Sequence, residues 1–264
     1  MNTMLKTLIA ASALVGASAV QAANINITVH EDAAAGEASF LASLNSIVAE
    51  EGFNDLANIA ALTGSGDYTQ SIVAPGGNLN QYESYEAKNS YFVTNVGTFE
   101  LTVAGQYGGN TYREELKIES QATGQFGRET LDDGDFWLDS ADALEVVWTF
   151  GAPLSGNFNA FGFQLADAGD IAGFLTLTFE DGTTSSFDTA QIFHPQPNGN
   201  LKYVSVSSDQ NILGGTFTFS NSVGYDGWGI DNVTVGRLPE PGTLILMGLG
   251  LLGLGAARRK AAKS

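Results

Sequence analysis

From Ser90 to Val235 the chain is a succession of short segments in which apolar and polar residues alternate, each closed by a glycine-bearing turn. A period of two is the spacing of a half-buried β-strand, and so many short runs at this interval limit the fold to an antiparallel β architecture. The runs are Ser90–Val96, Thr98–Ala104, Tyr112–Ser120, Ala143–Phe150, Phe158–Ala166, Gly173–Glu180, Thr183–Asp188, Leu201–Val206, Gly215–Ser220 and Trp228–Val235. Asp181-Gly182 joins two of them, a dipeptide whose backbone accepts positive φ and closes a tight hairpin. The expected class is mainly β, a jelly-roll-like antiparallel β-sandwich.

Upstream, Ile25, Ile27 and Val29 alternate with polar residues and predict a strand. Phe40, Leu41, Leu44, Ile47 and Val48 share one face of a helix predicted over Glu37–Glu51 and stopped by Gly52, its apolar stripe packing on a sheet. Residues 55–80 are broken by Gly64, Gly66, Pro75, Gly76 and Gly77 around one strand, Tyr68–Val73.

Both ends of the chain carry a different signal. Lys6, the small and apolar run Thr7–Val20, and the small-x-small triplet Val20-Gln21-Ala22 predict an export signal over residues 1–22. At the other end Pro239-Glu240-Pro241 precedes an uncharged run, Leu244–Ala257, and then the basic stop Arg258, Arg259 and Lys260. Those 14 residues would rise roughly 21 Å as a helix, short for a membrane span but extended by snorkelling arginines. The basic cluster then belongs on the cytoplasmic side, with everything N-terminal to Pro239 outside. The expected organisation is a signal peptide (1–22), an extracytoplasmic domain (23–237) and a C-terminal sorting and anchoring segment (238–264).

Composition narrows what the domain does. Without cysteine it has no disulfides, so packing, or packing together with bound ions, must supply its stability. Of the chain's 29 acids, all but Glu240 lie between Ala23 and Leu238, against six bases, a net charge of about −22. Such a surface repels nucleic acid and anionic lipid, and it suits Ca²⁺ or simple solubility outside the cell.

The order of tripeptide, apolar helix and basic tail resembles the PEP-CTERM sorting signal of Gram-negative bacteria that make exopolysaccharide. The resemblance implies that Pro239, Glu240 and Pro241 are the recognition motif, Leu244–Ala257 the transmembrane helix, and Arg258–Lys260 the stop. Its implied partner is an exosortase, a membrane transpeptidase-like enzyme that handles the motif. Its implied location is an inner-membrane-anchored precursor, then the cell surface or extracellular matrix. Phe161-Gly162-Phe163, Leu175–Gly182 and Asp226-Gly227-Trp228-Gly229-Ile230-Asp231-Asn232 look like the extracellular β-sandwich common to many PEP-CTERM proteins. Ala49-Glu50-Glu51-Gly52-Phe53 is similar to the start of such domains. Trp228 stands where Phe is more usual, which keeps the apolar bulk. This likeness implies a fold and an address, and no reaction.

Chemistry-bearing patterns are sparse. His30 and His194 lie apart from each other and from other ligands, there is no Gly-x-Ser-x-Gly, and there is no phosphate-binding glycine loop. The densest acidic cluster, Asp132, Asp133, Asp135, Asp139, Asp142 and Glu145, lacks the spacing of an EF-hand and reads as an acidic turn. Asp226 with Asp231, and Asp167 with Asp170, are the candidates for structural Ca²⁺, or else braces of turns. Trp137 and Trp228, with Tyr82, Tyr85 and Tyr91, are candidate sugar platforms, although Trp228 between two glycines favours core packing, and Trp148 lies in a buried run. Three functions stay open, in this order: a non-catalytic exported surface or matrix protein, a Ca²⁺-assisted carbohydrate-binding module for exopolysaccharide, and a glycosidase using paired carboxylates.

Overall fold

The computed structural model describes residues 23–54, 87–104, 116–120, 136–140, 143–151, 154, 157–167, 171–189, 200–221 and 227–239. Among them are one helix and thirteen strands. These are β1 (Ile25–His30), α1 (Ala33–Ser43), β2 (Ser46–Glu51), β3 (Ala87–Asn89), β4 (Tyr91–Thr94), β5 (Gly97–Val103) and β6 (Leu116–Ser120). Then follow β7 (Phe136–Asp139), β8 (Glu145–Phe150), β9 (Phe158–Ala166), β10 (Ile171–Phe179), β11 (Thr184–Asp188), β12 (Leu201–Asn221) and β13 (Gly229–Arg237). Every pairing is antiparallel, as the sequence predicts.

The strands form one hydrogen-bonded sheet that doubles over at β12. The first half of β12 pairs with β1 and β9, while its second half pairs with β10 and β8. Leu201–Val206 and Gly215–Ser220, expected as separate strands, are thus a single 21-residue strand shared by both layers. Gly214-Gly215 and a register shift opposite Thr178/Phe179 mark the change of partner. Glycine is needed there because a Cβ on Gly214 would stand 2.8 Å from the Phe150 carbonyl oxygen.

Alternation puts Phe161, Phe163, Val204 and Val206 of one layer against Val146, Trp148, Phe150, Phe217 and Phe219 of the other. Trp148 is the hinge of this core. It stacks on Phe99 (5.3 Å between centroids, 10°), meets Phe161 and Phe163 edge-on, and donates its indole N–H to the Val96 carbonyl at 3.2 Å.

The helix is shorter than its apolar stripe suggests. Asp32 caps it by accepting from the Ala35 N–H at 3.0 Å, and it ends at Ser43, where Leu44 turns extended. Ile47 and Val48, read as helical, belong instead to β2, which pairs with β13. Pairing with a sheet edge outweighs the helical spacing because β-branched residues fit a pleated surface. The Glu50-Glu51-Gly52-Phe53 segment then forms a corner. Glu51 accepts from the Phe53 N–H (3.0 Å) and the Asn95 N–H (3.1 Å), holding Phe53, at φ 54°, buried against Phe99. Glu51→Ala strands two backbone donors in a buried setting and is expected to cost about 2–4 kcal/mol, read from urea unfolding.

The hairpin expected at Asp181-Gly182 is present, with Gly182 at φ 82° and Phe179 N–H bonded to Thr183 O at 2.9 Å. The side-chain and backbone donors of Thr183 hold the Asp181 carboxyl below its ordinary 3.8. A lowered carboxylate contributes stability at pH above about 3.8, lost as pH falls through the folded value. The predicted strand Tyr68–Val73 lies outside the described residues.

Candidate functional site

Two features gather polar side chains that the core does not explain. The first lies where the sandwich hands over to the C-terminal segment. Strand β13 is held against β2 up to Arg237, whose carbonyl accepts the Asn45 N–H at 2.6 Å and whose Nε donates to the Asn157 carbonyl. The next residue, Leu238, donates its N–H to Asn159 Oδ1 at 2.6 Å and packs with Leu41 and Leu44 against the Phe40–Tyr203 cluster. Pro239 follows, exposed.

The N-terminal end of the domain arrives at the same place. Asn24 donates its backbone N–H (2.8 Å) and side-chain amide (2.6 Å) to the two carboxylate oxygens of Asp209, and Asp209 N–H returns a bond to Asn24 O at 3.2 Å. Asn24, Asn26, Asn159, Ser207, Asp209, Leu238 and Pro239 line one groove of about 290 Å³. The first residues after the expected signal peptide and the first residue of the tripeptide therefore share a groove.

The second feature is a polar row across the face that α1 covers. His30 (β1), Tyr203 (β12), Gln164 (β9) and Asp231 (β13) are successive cross-strand neighbours and point to one side. Gln164 donates to Glu37 of α1, and His30 Nε2 lies 3.1 Å from Ser205 Oγ. In the adjoining strands Lys117 and Asp139, both buried, stand directly opposite one another. The Tyr203 phenol occupies space that Gly162 leaves open, and its oxygen has no hydrogen-bond partner among the described residues. Burial first, and the Glu37 carboxylate second, push its pKa far up. The phenol thus stays neutral in the fold while the unfolded chain ionises above pH 10, so stability is intact below about pH 10 and falls as pH rises beyond it. Tyr203→Phe is expected to be neutral or about 1 kcal/mol stabilising at pH 7 and to blunt that alkaline loss, measured by unfolding at pH 7 and pH 11.

The predicted ligand residues land as follows. Asp231 is buried and its Oδ1 accepts the Asn232 N–H at 2.7 Å, bracing a bulge in β13 where Asn232 has φ 46°. Asp167 follows β9 at φ 55°, its N–H bonded to Asn200 O at 2.7 Å. Asp226 and Asp170 lie outside the described residues, and among the described residues no three acidic or histidine groups gather as a metal would need. Of the candidate sugar platforms Tyr91 is 40% exposed, Tyr82 and Tyr85 lie outside the described residues, and the two tryptophans are corrected. Trp137 is 6% exposed against Gly229 and Trp228 is 1% exposed over Phe219, so neither indole face is open. The Asp-Gly-Trp-Gly segment is core, with Trp228 N–H on Ser140 Oγ at 2.8 Å. Asp139, placed in an acidic turn by its neighbours in sequence, is buried in β7. Asn159 and Asp209 went unread, since a lone polar residue at a strand position carries no local signal.

Two kinds of likeness bear on this geometry. The PEP-CTERM protein-sorting motif matches residues 238–260, beginning at the residue that Asn159 holds. The chain thus carries the sorting motif of an exosortase substrate, which marks an exported protein processed at the membrane. No curated protein matches the chain. Among solved structures it is similar to the C-terminal family 22 carbohydrate-binding module of Clostridium thermocellum Xyn10B, at 9% identity over 53% of this chain and 96% of that one, with a TM-score of 0.27. A second is the family 11 module of the cellulase Lic26A-Cel5E from the same organism, at 11% identity over 52% and 91%, with a TM-score of 0.26. Scores this low establish no shared topology or ligand. Among the described residues no helix is long and apolar enough to cross a membrane, and residues 240–264, with the expected span, lie outside them.

Proposed function

We propose that this protein is non-catalytic cargo: an acidic β-sandwich exported by its N-terminal signal, held at the inner membrane by its C-terminal helix, and passed by an exosortase to the cell surface or extracellular matrix. The observation that carries the reading is the meeting of Asn24–Asn26 with Leu238 and Pro239 in one groove. A precursor tethered by either end, or by both, would hang from the membrane by the same corner, leaving the far side of the sandwich outward. Replacing Pro239, Glu240 and Pro241 with alanine is expected to leave full-length precursor in the inner-membrane fraction and to reduce the surface form at least about tenfold. Unchanged processing and location in that variant would refute the sorting role.

A second reading, contact with exopolysaccharide, draws on the outer face of the other layer. Ser186, Thr176, Thr216, Thr149 and Thr98 are cross-strand neighbours over five strands, a hydroxyl row about 19 Å wide at the usual strand spacing. In the next row Phe174 (55% exposed) and Tyr91 (40%) stand at either side. Hydroxyls and open aromatic rings suit a neutral sugar chain, and calcium has no necessary part in such a face. Phe174→Ala combined with Thr216→Lys is expected to cut retention on matrix polysaccharide by about tenfold with little change in melting temperature. Retention equal to wild type would remove this reading.

A further inference from the structure

We propose that the folded sandwich clamps Leu238, the residue preceding the Pro239-Glu240-Pro241 tripeptide, so that processing waits on a local release of the chain end. The inference rests on the reading that an exosortase processes the protein near Pro239-Glu240-Pro241. Four contacts converge within two residues of that tripeptide. Asn45 N–H holds the Arg237 carbonyl, Arg237 Nε reaches the Asn157 carbonyl, Asn159 Oδ1 holds the Leu238 N–H, and the Leu238 side chain packs on the α1 cluster.

The spacing makes this consequential. Enzymes that act on peptides take them as extended chain, and each residue adds at most about 3.6 Å of reach. Here no free residue separates the last anchored one, Leu238, from Pro239. An active site that must grip even two residues ahead of the motif meets the wall of the sandwich unless Arg237 and Leu238 peel from β2, Asn157 and Asn159. Peeling of a strand end is a local opening, far cheaper than global unfolding, and its equilibrium scales the processing rate. The clamp also ties processing to folding. Leu44, which packs on the same Phe40–Tyr203 cluster as Leu238, sits where a Cβ on Gly236 would stand 2.6 Å from its Cδ1, so this end of β13 is seated only once α1 and β2 have docked.

The test follows the precursor-to-product conversion in cells after a pulse of synthesis. Asn159→Ala with Leu238→Ala is expected to speed conversion about fivefold, and a Gly-Ser-Gly insertion between Leu238 and Pro239, which leaves every clamp contact in place, is expected to do so at least as strongly. Conversion at or below the wild-type rate in the insertion variant overturns the proposal. The alanine replacement of Pro239, Glu240 and Pro241 runs beside them: if it too converts normally, the sorting reading fails, whereas if it stalls while the insertion changes nothing, only the clamp fails. Amide exchange on purified full-length precursor gives a second readout. Leu238 N–H should be protected and become exposed in Asn159→Ala; full exchange already in the wild-type chain would also overturn the clamp.

Discussion

Trp148→Ala is expected to destabilise the sandwich by about 4 kcal/mol, lowering its melting temperature by roughly 10 °C. The indole is fully buried where the two layers meet, touching Phe99 from its own layer and Phe161 and Phe163 from the opposite one. Truncation leaves a cavity lined by rings whose backbones belong to different strands, so they cannot close on it together. It also strands the Val96 carbonyl, which accepts the indole N–H at 3.2 Å. Trp148→Phe separates the contributions: it keeps most of the apolar contact, loses the hydrogen bond, and should fall between the two. Guanidinium unfolding of the 23–237 domain measures both, and a loss under about 1 kcal/mol for the alanine variant would show that the core does not turn on this residue.

The second large effect comes from a residue without a side chain. Gly173 of β10 has φ 154°, and a Cβ there would fall inside the van der Waals contact of the Thr218 carbonyl oxygen on β12. Gly173→Ala must therefore separate two strands in the middle of their pairing, with a strained backbone conformation besides. A loss of about 3 kcal/mol or more is expected in the same unfolding measurement. Gly182→Ala serves as the comparison. It also has positive φ, but a Cβ there meets nothing within 4 Å, so it reports the conformational cost alone.

How far the sequence could be read follows from which forces act locally. Phe158–Ala166 was legible to the residue because a nearly continuous apolar run of this length is that of a central strand buried on both faces. The helix boundary was not. Phe40 through Val48 fits helical spacing, and only pairing with β13, almost two hundred residues away, decides that Ile47 and Val48 are extended. The union of Leu201–Val206 with Gly215–Ser220 was hidden likewise, since Gly214-Gly215 reads locally as a break but here permits the strand to pass from one layer to the other. Burial of the two tryptophans, Trp137 and Trp228, has a related cause. Trp228 takes the core packing its flanking glycines favour, and Gly229 lets the Trp137 ring come in so close that a Cβ there would stand 3.1 Å from its Cδ1.

The tail was the most legible part, because a targeting signal is read as linear sequence by other proteins and needs no fold. The fold adds the address of that signal on the domain: beside Asn24 and Asp209, one residue beyond Arg237, under the hold of Asn159. That placement brings the two ends of the sandwich to one groove.

The intact mass of the mature surface-fraction protein tests the central claim most directly. The mature chain is expected to begin at Ala23 and end close to Pro239-Glu240-Pro241, without Leu244–Ala257 and without Arg258, Arg259 and Lys260. A finished surface form that still extends to Ser264 would contradict it.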